Sequence, residues 1–494
     1  MRRCLLLLGI GLCCHSWATN ATQTTAQYFA SIQHDPNAVL AFIQRMPKGG
    51  ELHDHLDGAA YAEHVLHNAN HDPICISSST LIPEDNTACP KGWRLDQLEH
   101  YPAHYNAVID AWSLRHFTAT ATQSMQDHFF ATFPRFAPVF YKHLGANLAS
   151  VVKRAAAQHE QYLELIFATQ WPAAAELAKQ IPWQNNFATM RKKLLKAGIP
   201  ALAKQVSIDT NNMLAEKNAL LACSSKDPQA ACRIKVKFLY FAFRMIDPAQ
   251  TFAQLLLGFE VAHHDPHFVG INLVGPEADV HSVKYYHQQM QMIGYLHSVY
   301  PDVHISLHAG ELAPEEVPPQ VHSFHIADAI KTAHAERIGH GVDIASEKNA
   351  DTLVKRMAEQ PVPVEICLTS NADLLGVHGK QHPLPYYLAN HVPVVLDTDD
   401  AAILRTNLNQ EYLHAVMDYQ LDYPTLKDFA RNSLKYSFLP GKNLFSEPAC
   451  QKALLNQTKP NAVCQKLLTH SDKAQQQWQL ERAFQRFEQQ FIAP

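Results

Sequence analysis

Runs of apolar and β-branched residues recur along the chain, and stretches with helical periodicity separate most of them. Most runs are continuously apolar rather than alternating, which is typical of parallel strands covered on both faces. Eight such runs predict strands: Gly50–His55, Tyr162–Ala168, Ile234–Phe243, Phe268–Val274, Val303–His308, Arg337–His340, Pro363–Leu368 and Val392–Asp397. Helices are predicted between them, for instance at Ser282–Val299 and Ala350–Glu359. This alternation predicts an α/β protein with a (β/α)₈ barrel of the TIM type, and a doubly wound open sheet is the alternative.

The first two predicted strands are too far apart in sequence for a single crossover helix to join them. Residues from about 70 to 150 hold a loop rich in cysteine and proline, followed by aromatic-rich helical stretches at Asp110–Phe117 and Met125–Phe140. We interpret this segment as an insertion that covers the mouth of the barrel or forms a partner surface. The whole pattern predicts a lead helix at 19–45, a barrel domain at 46–440 and a tail at 441–494 packed on the barrel. A Gln-rich helix from about Asp472 to Phe491 is predicted to end the tail.

The first 18 residues have the pattern of an export signal. Two arginines give a positive start, an apolar run extends from Leu5 to Cys14, and Ser16-Trp17-Ala18 is a small-x-small cleavage site. The apolar run is about half the length that a membrane-spanning helix needs. We therefore expect cleavage after Ala18 and export to the periplasm or the extracellular medium. A lipid anchor at Cys13 is the alternative, although bulky Leu12 fits that processing poorly.

The composition is that of a compact globular protein, with 47% hydrophobic and 18% charged residues. The net charge of -5 is spread over mixed signs and gives no indication of nucleic acid or an anionic membrane as partner. No stretch after the signal is long and apolar enough to predict a membrane span. One large barrel with insertions accommodates the 494 residues without a second independent domain.

Most cysteines beyond the export signal occur in local pairs. The pairs flank short polar loops and are Cys75/Cys89, Cys223/Cys232 and Cys450/Cys464. In an oxidising compartment, such pairs are candidates for disulfides that close surface loops. Cys367 has no nearby partner and is predicted to be a buried thiol. The mature chain has no Cys-x-x-Cys motif, so a structural zinc ribbon has no support.

Side chains that can bind a metal stand where several predicted strands end. His53 and His55 share one face of the first strand, because side chains two apart on a strand point the same way. His308 ends the fifth strand, His340 ends the sixth, and Asp399-Asp400 follow the eighth. Each feature taken alone has an ordinary explanation, such as chance pairing among 30 histidines or an acidic turn. Together they lie on the rim where barrel enzymes carry their active sites, and three histidines with one carboxylate suit Zn²⁺.

Five segments resemble the motifs of the adenosine deaminase family and follow the family's order. They are the run from Met46 to Gly58, His308-Ala309-Gly310-Glu311, Arg337-Ile338-Gly339-His340-Gly341, Glu365-Ile366-Cys367-Leu368-Thr369-Ser370-Asn371 and Thr398-Asp399-Asp400. The resemblance spans about residues 46–440. The export signal, the Lys48-Gly49-Gly50 opening, the long insertion and the run Asn432–Ser437 resemble the secreted adenosine deaminase growth factor branch.

The resemblance implies one Zn²⁺ per chain, which activates a water molecule for attack on C6 of a purine. Its ligands are expected to be His53, His55, His308 and Asp399. By the same resemblance, His340 orients the water and Glu311 protonates ring nitrogen N1 as a general acid. Asp400 is expected to bind N7, the backbone N–H of Gly275 to bind N3, and Asp57 to face the ribose hydroxyls.

These assignments predict a hydrolase acting on a cyclic amidine C–N bond, which converts adenosine and 2′-deoxyadenosine to inosine and ammonia. Adenine, an N6-substituted aminopurine and a nucleotide are alternative substrates, and the nucleotide is disfavoured because no basic cluster lies near the motifs. A non-catalytic, growth-factor-like extracellular binding protein is the alternative from another class. Such a protein would have no need for the complete set of metal-binding and acid–base residues. The expected partner is a small purine nucleoside, and a homodimer is left open.

Overall fold

The computed structural model describes residues 11–84 and 89–492. The predicted export signal falls on residues 1–10, which lie outside this range, and on the beginning of the first helix. Residues 19–45, predicted as a lead helix, form the rest of that helix and a second one, separated by a turn at Asp35 that caps the second helix.

Eight parallel strands in the described part of the chain form one sheet, and strands that are neighbours in sequence are neighbours in space. They are β1 (Gly49–His55), β2 (Glu160–Ile166), β3 (Lys235–Phe243), β4 (Phe268–Val274), β5 (His304–Ala309), β6 (Arg337–His340), β7 (Val364–Ile366) and β8 (Val394–Leu396). The first strand also meets the residues just after β8, because Asp54 pairs in parallel with Asp399 and the His55 N–H donates to the Asp399 carbonyl. The sheet therefore closes on itself, which confirms the predicted (β/α)₈ barrel.

Every predicted strand is present, with bounds that differ by a few residues. β2 begins and ends two residues earlier than predicted, and β7 and β8 are shorter than predicted. Leu368 begins a helix instead of ending β7, and Pro393 before β8 has no backbone N–H for the ladder. All residues of β1, β7 and β8 are buried, as expected for strands with helices outside and packed side chains inside.

Helices surround the barrel and form most of the crossovers. Those that the structure describes are α1 (Gly11–Ile32), α2 (Pro36–Ile43), α3 (Leu56–Ala59), α4 (Ala62–Asn68), α5 (Pro102–Ala111), α6 (Met125–Phe140), α7 (Leu144–Ala157), α8 (Trp171–Lys179), α9 (Phe187–Ala197), α10 (Ile199–Leu220), α11 (Pro248–His264), α12 (Val280–Val299), α13 (His325–Lys331), α14 (Ala350–Glu359), α15 (Leu368–Leu375), α16 (Leu384–Ala389), α17 (Leu408–Tyr419), α18 (Tyr423–Lys435), α19 (Pro448–Leu455), α20 (Ala462–His470) and α21 (Asp472–Glu488). Short 3₁₀ turns occur at Leu95–His100, Ala230–Arg233, Val321–Ser323, Ile344–Ser346, Gly379–Gln381, Leu444–Ser446 and Gln489–Phe491.

The segment between β1 and β2 packs on the rim of the barrel. It contains a small antiparallel sheet made of Cys75–Ser77, Pro83–Glu84 and Gly92–Arg94. Its helix α6 begins at a capping box and packs against α3 and α15, which both start at carboxyl ends of barrel strands. The Leu114 N–H also donates to the Ile403 carbonyl in the loop after β8. The predicted helix at Asp110–Phe117 is wrong, because α5 ends at Ala111 and turns follow it.

The three predicted disulfides are present, which confirms the pairing. They are Cys75–Cys89, Cys223–Cys232 and Cys450–Cys464, and Cys367 is a buried free thiol. Disulfides of this kind persist in oxidising compartments and suggest an extracellular environment. Among the described residues, no helix has the length and apolar character needed to cross a membrane.

We expect peptide mapping of the exported protein without reductant to recover these three bridges. Cys367 should react with an alkylating reagent only after unfolding, because its side chain is fully buried. In the chain-entropy model, loops of this length contribute about 3 kcal/mol per bridge to the free energy of unfolding, so reduction should lower the Tm. Free thiols at the paired positions in exported material would contradict both the bridges and the oxidising compartment.

Candidate active site and metal centre

The predicted metal ligands come from three separate places in the chain and meet at the carboxyl end of the barrel. His53 and His55 lie at the end of β1, His308 lies in β5, and Asp399 follows β8. The Nε2 atom of His308 is 3.0 Å from that of His53 and 3.2 Å from that of His55. The Oδ1 atom of Asp399 is 3.4 Å from the Nε2 atoms of both His53 and His55. Four candidate ligand atoms therefore form one compact, buried group.

The spacing of this group fits a tetrahedral zinc ion. Zinc binds nitrogen and carboxylate oxygen at about 2.0–2.2 Å, so two ligand atoms at a tetrahedral angle lie roughly 3.3 Å apart. The measured separations of 3.0–3.4 Å are close to this value. Imidazole nitrogen and carboxylate oxygen are also donor types that zinc accepts.

Hydrogen bonds on the far side of two imidazoles decide where their protons lie. His53 Nδ1 donates to Glu365 Oε2 at 2.8 Å, and His308 Nδ1 donates to Asn272 Oδ1 at 2.8 Å. In the neutral rings, both Nε2 atoms therefore carry lone pairs, and two lone pairs 3.0 Å apart repel each other unless a cation lies between them. Carboxylate and amide oxygens behind a histidine are the usual partners of metal-ligating imidazoles.

The electrostatics of the site stabilise a positive charge at one of the three histidines. Burial opposes a charge on His53, but hydrogen bonds with Asp399 and Glu365 outweigh it and raise the pKa of His53 to about 10. Burial lowers the pKa of His55 to about 3 and holds that of His308 well below its usual range. The site thus holds two neutral imidazoles beside a carboxylate and stabilises a cation at one position. A divalent metal ion suits this arrangement.

Asp399 and His340 both have unusual backbone conformations. Their φ angles are 63° and 64°, in the left-handed region that residues other than glycine rarely adopt. Such conformations persist where the surrounding structure fixes them, often at active sites. Around Asp399 this support includes the Ser370 hydroxyl, which donates to Asp399 Oδ2 at 2.7 Å. The turn after β8 thereby directs the Asp399 carboxylate at the three histidines.

His340 and Glu311 lie beside this group. His340 offers a ring nitrogen within 4.8 Å of the ligand atoms of His53, His308 and Asp399. Its Nε2 atom is 3.6 Å from Glu311 Oε1 and is buried without a hydrogen-bond partner among the described residues. Burial and the charge of Asp399 raise the pKa of Glu311 well above its usual range, which favours the protonated carboxyl.

The remaining predicted site residues also lie on the rim. Asp400 Oδ1 is buried and, within the described chain, has no hydrogen-bond partner. It packs so closely on Gly58 that a Cβ there would lie 1.7 Å from Asp400 Oδ1. Gly275 follows β4 with a φ of 102°, and its carbonyl accepts a hydrogen bond from Arg244 Nε. Asp57 lies in α3, and burial raises its pKa to about 6.

Sequence reasoning missed a buried polar network that holds the loop after β5. The Glu277 carboxylate accepts hydrogen bonds from the backbone N–H groups of Gly310 and Glu311, each at 3.0 Å. Arg244 Nη1 lies 3.2 Å from Glu277 Oε2, and Arg244 Nη2 lies 3.4 Å from Glu311 Oε2. Arg244 and His325 outweigh burial and lower the pKa of Glu277 to about 2. The available signal was position, because Arg244 and Glu277 follow β3 and β4 on the rim that carries the predicted residues.

A model of the adenosine deaminase family matches residues 149–445, more than half of the chain. The chain belongs to the adenosine deaminase family. The family is metal-dependent, and the cluster of histidines with Asp399 is the candidate metal site of this chain. The predicted family membership is confirmed.

Relatives of this chain match it over limited segments. Aminodeoxyfutalosine deaminase of Streptomyces coelicolor is 36% identical over 139 residues, which are 28% of this chain and 34% of that protein. Adenosine deaminase of Clostridium perfringens is 30% identical over 186 residues, which are 36% of this chain and 51% of that protein. The matched segments thus span about a third and about half of the length of these curated relatives.

Solved structures share the fold of this chain at low sequence identity. An adenine deaminase from Arthrobacter aurescens superposes with a TM-score of 0.52 at 19% identity, covering 83% of this chain and 97% of that chain. Arabidopsis ADAL complexed with IMP gives 0.52 at 19% identity, covering 91% and 99%. An amidohydrolase from Burkholderia ambifaria with bound zinc gives 0.55 at 15% identity, covering 90% and 94%. These likenesses confirm the barrel architecture.

We expect the purified protein to bind about one zinc ion per chain and His308→Ala to lose it. Removing the ligand should weaken zinc binding by more than the 10–100-fold that is typical for changes behind a ligand. Elemental analysis after dialysis, with a competition titration for affinity, measures both quantities. His67→Ala is the control, since His67 is largely exposed and is not one of the grouped histidines. Wild-type zinc affinity in His308→Ala would contradict the ligand assignment.

Proposed function

We propose that this protein is a zinc-dependent adenosine deaminase, which hydrolyses adenosine and 2′-deoxyadenosine to inosine and ammonia. The observation that carries the proposal is the position of Glu311, a carboxyl that adjoins the candidate metal group without belonging to it. Deamination at C6 requires an activated water and an acid at the purine ring in one site. The adenosine deaminase of Clostridium perfringens among the relatives supports adenosine as the substrate.

In this proposal, His53, His55, His308 and Asp399 hold the zinc ion. The bound ion supplies Lewis-acid activation of water at neutral pH. Glu365 and Asn272 orient two of the imidazoles, and Ser370 orients the Asp399 carboxylate. These contacts keep the ligand atoms in place before the metal arrives, which lowers the cost of binding it.

Glu311 and His340 perform the proton and positioning work. Glu311 gives its proton to ring nitrogen N1, which makes C6 more electrophilic, while His340 orients the attacking water from the other side. Arg244 and Glu277 hold Glu311 by its carboxylate and its backbone N–H. Asp400 binds N7, the Gly275 N–H binds N3, and Asp57 faces the ribose.

A second candidate substrate is aminodeoxyfutalosine. The deaminase of that name from Streptomyces coelicolor is 36% identical over its matched segment. A substrate panel of adenosine, 2′-deoxyadenosine, adenine, AMP and aminodeoxyfutalosine distinguishes the candidates by ammonia release. The proposal requires the highest kcat/KM for adenosine or 2′-deoxyadenosine. A higher kcat/KM for another compound would make that compound the substrate in place of adenosine. If none of the compounds is turned over, a non-catalytic binding protein is favoured.

We further propose that the protein is exported and is a secreted member of the growth factor branch. The three disulfides support an oxidising compartment. In this proposal, residues 1–18 are removed, 46–440 form the catalytic barrel with its insertion at about 70–150, and 441–494 form the tail. N-terminal sequencing of the exported protein should begin at Thr19.

Glu311→Gln should retain the fold and lose most of the activity, because an amide keeps the shape of the side chain but cannot deliver a proton. General acid groups typically contribute about 10²–10⁴ in rate, so kcat should fall by that factor while KM changes much less. Steady-state kinetics with adenosine and a zinc determination test this expectation. The control is Glu315→Gln, an exposed carboxylate in the same loop. A wild-type kcat in Glu311→Gln would exclude the proposed acid, and loss of zinc would assign Glu311 to the metal site.

A further inference from the structure

A buried chain of hydrogen bonds leads from the backbone of α16 to His340. The Leu384 N–H donates to His382 Nδ1 at 3.1 Å. His382 Nε2 lies 3.0 Å from Asn371 Oδ1, and Asn371 Nδ2 lies 3.0 Å from His340 Nδ1. His340, Asn371 and His382 are each at most 3% exposed. In these hydrogen bonds, Leu384, His382 and Asn371 contact each other and His340, and none of the three contacts a candidate metal ligand.

The direction of every bond in this chain follows from its first member. A backbone N–H can only donate, so His382 Nδ1 must accept. A neutral His382 then carries its proton on Nε2 and donates to Asn371 Oδ1, which leaves the Asn371 amide to donate to His340 Nδ1. Burial lowers the pKa of His382 to about 4, so the ring is neutral at physiological pH.

A neutral His340 therefore carries its proton on Nε2, the atom that faces the site. This is the opposite of His53 and His308, whose outer partners are oxygen acceptors and whose Nε2 atoms present lone pairs. Asn272 shows an oxygen to one histidine and Asn371 shows an N–H to another, so two asparagines give two histidines opposite roles. A protonated Nε2 is unable to ligate a metal but can donate a hydrogen bond.

We infer that His382 is a positioning residue which, through Asn371, fixes His340 as the Nε2–H tautomer. His340 is thereby a hydrogen-bond donor to the oxygen that attacks C6, and it is excluded from the metal ligands although it lies among them. The role of His340 as donor rests on the proposed function, whereas its tautomer does not.

The tautomer can be read directly by NMR. In zinc-loaded protein with ¹⁵N-labelled histidine rings, the Nε2 of His340 should have the shift of a protonated nitrogen and Nδ1 that of an unprotonated one. The signals are assigned by their loss in His340→Gln. Protonated Nδ1 with unprotonated Nε2 in the wild type would overturn the inference. This readout requires no substrate, so it is independent of which purine the enzyme deaminates.

The contribution of His382 is tested by His382→Leu, which removes the two hydrogen bonds of the His382 ring, one with Leu384 and one with Asn371. Asn371 then has no enforced direction, and the His340 signals should shift towards a mixture of tautomers. An incorrect tautomer can cost up to about 10⁴ in kcat, so a partial loss should lower kcat about 10- to 100-fold with KM and zinc content nearly unchanged. His128→Leu is the matched control, a buried histidine of the insertion that bonds backbone carbonyls.

These variants distinguish a His382 that only packs in the core from a His382 that positions His340. A fall in kcat with unchanged His340 shifts, or unchanged kcat and shifts together, would overturn the role of His382. If His382→Leu does not fold, His382→Gln takes its place, because its amide can offer either an N–H or an oxygen to Asn371 and so no longer enforces one direction. If the wild type turns over no purine of the panel, the proposed function fails while the shifts still decide the tautomer.

Discussion

Three imidazole nitrogens and a carboxylate oxygen are held 3.0–3.4 Å apart, and in the neutral rings two of the nitrogens face each other with lone pairs. Without a proton or a metal ion between them this contact is unfavourable, so the rest of the protein must impose it. Each outer contact comes from a different part of the barrel, with Glu365 on β7, Asn272 on β4 and Ser370 in α15. Glu365 is in turn bound by Arg337 and the Ser306 hydroxyl inside the barrel. The ligand geometry is thus continuous with the packed interior, and the site is as rigid as the core beneath it.

Closure of the barrel is the second requirement. Two candidate ligands lie on the first strand and one follows the last, so more than three hundred residues of chain separate His55 from Asp399. The hydrogen bonds between the β1 end and the turn after β8 bring them together. A barrel that failed to close would leave two half-sites, and neither would bind zinc well because each lacks ligands. Folding and site formation are therefore one event, and metal binding stabilises the closed form.

The sequence predicted the barrel and the residues on its rim, because both depend on local pattern: apolar runs mark strands, and polar residues at their ends mark the rim. It did not predict what the outer residues do. Arg244, Glu277 and His382 are ordinary polar residues in sequence, and their partners are set by pairings between distant segments. The left-handed backbone of His340 and Asp399 could not be predicted either, because Asp and His adopt it more often than most residues but still only at a few positions. The misplaced helix near Asp110 has the same origin, because Trp112 and Phe117 pack on Phe136 and His128 of α6 instead of continuing a helix.

The disulfides all lie outside the barrel strands. One closes a loop in the insertion, one follows α10 and one joins α19 to α20 in the tail. These segments lie outside the barrel strands, and exposed loops of this kind are the preferred sites of cleavage by proteases. The barrel is stabilised by burial and hydrogen bonding, whereas these peripheral segments are also stabilised by covalent bonds. We therefore expect the resistance of the folded protein to proteolysis to depend on the loops that these disulfides close.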